Sequence, residues 1–416
     1  MDTPYCHGRK EAEELDRWNP LSNFRSRFHI PPDTVYMDGN SLGLLSKDAE
    51  RSILRVLDEW KDLGIGGWMN GEQPWFVTGE RLGARMALLV GAAGPEVIFT
   101  GTTTINIHQL VGSFYNPSGE RSVILADELN FPSDLYALEG QVRIRNLDPE
   151  KHLVRVKAGK DRLLDEESII KQMTPEIALV FLPSVLYRSG QLLDMEKLSA
   201  AAAERGIPIG FDCSHSAGAV PHYLSKWGVD FALWCSYKYL NGGPGAPAFL
   251  YVNHKHFNLL PSLPGWFGQQ KERQFEMLPS FFPASGAGRW QISTPCILGS
   301  SPVEGALKIT LEAGIERIRE VSLRLTGFLA DSLNTRLISE YGEFSILTPS
   351  GPHRRGGHIA LTHPQAEDIY NKLLTRGIIT DFRPPDIIRI APVPLYNTFT
   401  EVCQVVDSLL NVVEKR

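Results

Sequence analysis

The run Trp234-Cys235-Ser236-Tyr237-Lys238-Tyr239-Leu240-Asn241-Gly242-Gly243-Pro244-Gly245 sets one lysine between an apolar stretch and a glycine turn, and Asp212-Cys213-Ser214-His215 stands upstream of it. A lysine that forms a Schiff base must be desolvated enough to lose its proton near neutral pH, and rigid backbone must hold it in place. A buried strand end followed by a tight turn supplies both. A carboxylate on a pyridine nitrogen keeps that nitrogen protonated, which makes the ring an electron sink for a carbanion. Lys238 and Asp212 together therefore suggest a pyridoxal phosphate site, with Asp212 on the pyridine nitrogen. The plainer readings are a solvated lysine beside a turn and an aspartate capping the turn after its strand.

These residues need a scaffold, and the pattern around them provides one. Residues 207–211 read as a short buried strand with Asp212 at its carboxyl end, and 231–235 as the next, delivering Lys238 in the same way. Open α/β sheets place ligands at that edge. Further β-rich runs at 97–100, 122–126 and 177–182 alternate with helical periodicity, including the helix around 200–205. Such alternation predicts a mostly parallel sheet covered by helices. After Pro302 a long amphipathic segment, 305–340, leads to strands near 345–347, 357–361 and 387–391, a helix at 366–374 and a closing helix to 414. We expect a large domain over 61–301 and a small α+β domain over 302–416, which the segment 1–60 joins. The glycine-rich stretch 64–71 reads as a loop near the mouth of the site.

A chain of 416 residues, 43% hydrophobic and 22% charged, has the composition of a soluble globular protein. A formal charge of −6 and the lack of a basic stripe argue against a nucleic-acid partner. The polar N-terminal residues do not read as a signal peptide, and no run reaches the roughly eighteen apolar residues of a membrane helix. We expect a cytoplasmic protein. Cysteines at 6, 213, 235, 296 and 403 are scattered, as reduced thiols are.

With Lys238 and Asp212 placed, the chain resembles the fold-type I pyridoxal phosphate enzymes, and within them the class V aminotransferase-like kynureninase family. The resemblance spans nearly the whole chain. It rests on Gly39-Asn40-Ser41-Leu42-Gly43, Phe131-Pro132-Ser133-Asp134, Gly210-Phe211-Asp212 with His215, and the blocks 227–231 and 234–241. Gly265-Trp266-Phe267-Gly268 and the segment 389–397 complete it. It implies an α/β fold with a seven-stranded, mainly parallel sheet and a small α+β domain. The implied activity is hydrolytic cleavage of L-kynurenine to anthranilate and L-alanine, in tryptophan catabolism and NAD biosynthesis.

Carried over residue by residue, the resemblance makes Lys238 the cofactor lysine and the group that moves the α-proton, and Tyr237 a phosphate contact and proton donor. Thr103 and Thr104 match the phosphate-binding turn that opens a helix, a place that favours anions; the plainer alternative is a simple helix cap. Phe131 would stack on the pyridine, with Pro132, Ser133 and Asp134 ordering the site, although a phenylalanine there is also ordinary core. His215 would lie near the ring and the substrate's aromatic end, or else be a structural histidine. Trp266 and Thr294 would reach the phosphate from a partner subunit, implying a homodimer with shared sites. Arg389 would grip the substrate carboxylate, Asn40 and Trp68 would join it in the substrate pocket, and no acidic partner for Arg389 is evident in the sequence.

Two positions depart from the family. Pro183 stands where a hydroxyl residue is usual, with Ser184 beside it. Thr294 and Trp68 stand where some members carry asparagine and histidine to meet a ring hydroxyl, which favours plain kynurenine over its 3-hydroxy form. The rival readings are a cysteine desulfurase or selenocysteine lyase, a transaminase, and a cofactor-binding module without turnover. The first needs a nucleophilic cysteine on a mobile loop, and neither Cys296 nor Cys403 reads as one.

Overall fold

The computed structural model describes residues 8–414, so Cys6 lies outside it. Thirteen strands occur among these residues. The first, β1 (Val35–Tyr36), belongs to the N-terminal segment; β2 (Val97–Thr100), β3 (Val123–Asp127), β4 (Leu153–Val156), β5 (Ile177–Pro183), β6 (Ile209–Asp212), β7 (Phe231–Cys235) and β8 (Ala248–Val252) form one sheet in the order β2-β8-β7-β6-β5-β3-β4. Only β8 runs against its neighbours, pairing antiparallel with both β2 and β7. The carboxyl ends of β2, β3, β5, β6 and β7 therefore open on one edge of the sheet.

Both faces of this sheet are covered, and the two-residue period of a strand sorts its side chains between them. Phe99, Leu125, Val180, Leu182, Trp234 and Phe249 enter one core; Ile98, Ile124, Leu179, Phe181, Leu233 and Leu250 enter the other. Strands buried on both sides read as unbroken apolar runs, which is why five of them stand out in the sequence. The other two, β4 and β8, complete the seven.

The remaining strands are β9 (Ser345–Ile346), β10 (Ile359–Thr362), β11 (Ile378–Ile379), β12 (Asp381–Arg383) and β13 (Ile387–Ile390). An antiparallel sheet runs β12-β13-β10-β9, and β1 pairs parallel with β11. Ala12, Leu21, Phe28, Val35, Met37 and Leu44 share a third core with residues from 309 to 412. The long segment expected at 305–340 is instead two helices, Ile297–Ala313 and Ile315–Leu333, broken at Gly314, whose φ of 79° suits glycine. A cut between 301 and 302 falls inside the first of them. The stretch 64–71 also differs from expectation: it forms a 3₁₀ turn, Gly64–Gly66, and a helical turn, Gly67–Asn70, with Gly67 packed under the Trp75 ring. Glycine composition hid that helix because the space, not the turn type, requires Gly67.

Candidate active site

Lys238 follows the fully buried strand β7 by three residues. Its turn is tied twice: Asn241 N–H donates to the Lys238 carbonyl at 2.9 Å, and Gly242 N–H to the Ser236 carbonyl at 2.8 Å. Asn241 and Gly243 adopt positive φ, at 56° and 93°. A third tie comes from the N-terminal segment, where Gly43 N–H donates to the Tyr237 carbonyl at 2.7 Å. A Cβ on Gly43 would collide with the Lys238 carbonyl and the Asn241 side chain, so Asn40-Ser41-Leu42-Gly43 lies directly on the lysine turn.

The Lys238 ammonium nitrogen stands 2.9 Å from His215 Nε2 and 5.9 Å from the centre of the Phe131 ring. His215 is buried, and burial holds its imidazole well below the usual histidine range, with the charges of Lys238, Arg389, His358 and Arg383 pushing the same way. It is a neutral ring. Phe131, by contrast, is 39% exposed, which removes the core reading, and it meets Tyr187 edge-on at 5.1 Å. Asn130, Phe131, Pro183, Tyr187, Asp212 and His215 line one small cleft at the carboxyl edge of the sheet. Pro183 is the last residue of β5, opposite Asp212, and Ser184 donates instead to the Asp212 carbonyl at 3.2 Å.

Asp212 ends β6 and accepts from Ser214 N–H at 2.7 Å. Asp134 lies against it, with neither carboxyl oxygen hydrogen-bonded in normal geometry. Burial first, then the charge and contact of Asp212, push the Asp134 carboxyl well above the usual range, while Lys238 pulls it down. Asp127 at the end of β3 is pushed up to about 7 by burial, against the Leu129 N–H that it accepts. None of the three forms an ion pair among the described residues. Buried carboxyls without a cation ask for a positively charged donor, and a protonated pyridine nitrogen is one.

Thr103 opens the helix Thr103–Phe114, whose first turn has no side-chain cap. That argues against a simple capping role and leaves N–H donors free for an anion. Thr104 Oγ and Ser133 Oγ lie 3.1 Å apart, bringing the starts of two helices, Thr103–Phe114 and Pro132–Ile144, to one place. Tyr237 has its hydroxyl raised above the usual range, mainly by burial and then by the Cys235 thiol beside it. This donor set fits pyridoxal phosphate: a lysine, an acid pair for the ring nitrogen, an aromatic face and helix N-termini for a phosphate.

Arg389 corrects one expectation, because it has an acidic partner. Asp381 stands opposite it in the β12–β13 pair and accepts from Nε at 2.5 Å and from Nη2. Nη1 donates to the Tyr187 carbonyl at 2.8 Å and Nη2 to Ser41 Oγ at 3.1 Å. Asn40, beside Ser41 in the chain, is fully buried, and both its side-chain polar atoms lack a hydrogen-bond partner among the described residues. Asp38 is pushed up to about 7, first by burial, with Ser41 lowering it and Asp381 raising it. Tyr187, Asp381 and His358, whose buried ring lies 6.1 Å from that of His215, escaped the sequence reading. The available signal for Asp381 was a β-rich run, 378–383, facing 387–390 across Pro384-Pro385-Asp386.

Trp68, Trp266 and Thr294 gather elsewhere. Trp68 packs on Trp75 at 5.8 Å and Phe267 at 6.2 Å; Trp266 is 50% exposed; Thr294 is exposed. Among the described residues no hydrogen bond, ion pair or ring contact joins them to Lys238, Asp212 or Arg389. They share a patch, since Gly265 sits so close to Ile292 that a Cβ would strike its carbonyl.

A kynureninase of Geobacillus thermodenitrificans (strain NG80-2) is 53% identical over 405 residues, spanning 97% of this chain and 94% of its own. The chain belongs to the kynureninase family. A second kynureninase, of Bacillus anthracis, is 53% identical over 403 residues with the same coverage, and the family profile described as Kynureninase C-terminal domain matches residues 318–409. The fold is shared more widely. A mutant of the cystine C-S lyase C-DES, with glycine covalently linked to its PLP cofactor, superposes with a TM-score of 0.81 at 18% identity, covering 92% of this chain and 98% of its own. A cysteine desulfurase from Thermococcus onnurineus NA1 gives 0.77 at 19% identity, covering 97% and 98%. The sequence kinship, and not the fold, separates this family from the desulfurases. No helix among the described residues is long and apolar enough to cross a membrane.

Proposed function

We propose that the cleft around Lys238 is where this chain, as a pyridoxal phosphate enzyme of the kynureninase family, hydrolyses L-kynurenine to anthranilate and L-alanine. The observation that carries the assignment is the placing of the Lys238 amine 2.9 Å from a neutral His215 and beside the Asp134–Asp212 carboxyl pair. When bound, the cofactor supplies an electron sink for the substrate carbanion. Asp212 would hold the ring nitrogen, Phe131 would cover one face with Pro132 fixing its turn, and Thr103, Thr104 and Ser133 would receive the phosphate. Arg389, with Ser41 and Asn40, orients the substrate by its carboxylate. Lys238 carries the α-proton, and His215 is placed to exchange a proton with its amine. Tyr237, whose hydroxyl keeps its proton at any working pH, is suited to donate one as the Cβ–Cγ bond breaks.

Trp266, Thr294 and Trp68 are assigned to a second subunit's site, making the working unit a homodimer. Support comes from the exposed apolar side chains around them: Trp60, Ile65, Met69, Phe275 and Met277. A pocket finished by Trp68 and Thr294, in place of the histidine and asparagine that some members carry, favours kynurenine over 3-hydroxykynurenine. For the domains, the third core supports assigning residues 1–60 to the small domain. Within the helix Ile297–Ala313, Val303 and Leu307 join the large-domain core and Ile309 and Ala313 the small-domain core, so the helix itself is the junction.

The test uses the purified protein loaded with pyridoxal phosphate and given kynurenine or 3-hydroxykynurenine separately. Equimolar anthranilate and alanine, with slower action on the hydroxylated substrate, are expected. Release of neither product would overturn the assignment, and sulfide from cysteine would point to the desulfurase reaction.

A further inference from the structure

Arg389 is 1% exposed, and a guanidinium offers five N–H donors in a rigid fork. Its side edge, Nε and Nη2, is occupied by one oxygen of Asp381. Arg383 Nε donates to that same oxygen at 2.9 Å, so two guanidinium groups share one carboxylate and the trio keeps a net positive charge. Tyr187 takes one donor of Nη1. What remains on the end edge is the Nη2 N–H held by the neutral Ser41 hydroxyl at 3.1 Å, and among the described residues Nη1 has one N–H besides the one that Tyr187 takes. A carboxylate approaching end-on displaces Ser41 as acceptor, leaving the Ser41 hydroxyl to the Asp38 carboxyl that it already holds down.

We propose that Asp381 is a positioning residue that blocks the side edge of Arg389, so that the pocket receives a single amino-acid carboxylate end-on, with Ser41 as the placeholder it displaces. This rests on the assignment of Arg389 to the substrate carboxylate. Sheet register fixes the arrangement, since Asp381 and Arg389 are direct cross-strand partners and cannot separate without unzipping β12 from β13. An exposed, mobile acid would not hold the fork in one orientation.

Asp381→Asn keeps the shape and removes the charge. On the holoenzyme it should raise KM for kynurenine on the order of tenfold while kcat stays within about threefold, because an amide at 381 no longer holds the Arg389 fork in the one orientation that receives the carboxylate. The decarboxylated analogue of the substrate, used as a competitive inhibitor, should keep its Ki. Equal weakening of substrate and analogue would mean a merely structural role and overturn the proposal, as would an unchanged KM. If Asp381→Asn does not fold, Asp381→Glu, with the charge on a longer arm, is read by the same two constants. Arg389→Ala runs alongside: an unchanged KM there overturns the carboxylate assignment itself, whereas a raised KM there with no effect at Asp381 overturns this inference alone.

Discussion

Asp127, Asp134 and Asp212 bring three carboxyl groups into the same buried corner, and the folded chain on its own meets that burden by keeping protons on Asp127 and Asp134. Asp127 is pushed up to about 7 and Asp134 is raised as well, chiefly by burial. An unfolded aspartate titrates near 3.9. Between about pH 4 and 7 the folded cofactor-free chain therefore holds protons that the unfolded chain has lost, so stability is greatest below that window and falls as pH rises through it. Asp134→Asn removes one of these acids. Cofactor-free Asp134→Asn should melt higher than the parent at pH 8, by about 2 to 4 °C for each kcal/mol relieved, and no higher at pH 4.5. Thermal scans at both values decide it; an equal difference at both would mean that the acid's ionisation is not what strains the site. The same residues show what a sequence conveys at this scale. Lys238 and Asp212 are legible because each ends an apolar run at a turn, and Phe131 only through resemblance. The Asp381–Arg389 pair is hidden because it depends on which residues face each other across a hairpin.

At the scale of elements, the site is assembled by a strand end, two helix starts and a segment from the far N-terminus. The first three follow from local pattern. The apolar runs of β5, β6 and β7 are bounded by polar or turn residues, and the helix starts lie just beyond β2 and β3. The fourth does not, because nothing local says that Gly43 will pack on the Lys238 turn. The joining of the helices at 297–333 and the helical turns at 64–70 were hidden for the same reason: Gly314 and Gly67 answer to a turn and to a tryptophan that packing brings near. Gly43 gives this contact a test. A methyl there must displace the Lys238 carbonyl or Asn241. Gly43→Ala should lower kcat by roughly ten- to a hundredfold, since a shift near 1 Å in a reacting group has that effect, while cofactor is retained. Unchanged turnover, with the variant still folded, would show that the N-terminal segment does not set the lysine's place.

At the scale of the whole molecule, the proposed homodimer makes each chain contribute to two sites. The cleft beside Lys238 is lined by Phe131, Tyr187, Asp212 and His215, whereas Trp68, Trp266 and Thr294 share a surface patch with exposed aromatic and aliphatic neighbours. In the homodimer proposed above, a two-fold axis would put the patch of each copy beside the cleft of the other, and self-complementary surfaces are the rule in homodimers. The consequence is measurable by mixing two damaged chains. Lys238→Ala alone should be inactive, and Trp266→Ala alone should bind cofactor weakly and turn over slowly. In a heterodimer one site draws Lys238 from the tryptophan variant and Trp266 from the lysine variant, and is whole; the other carries both defects. Random re-association of equal amounts makes half the dimers mixed, each with one whole site, so about a quarter of the parent activity should return. If Trp266 served its own chain's lysine, every site in every dimer would carry at least one defect, and mixing would restore nothing.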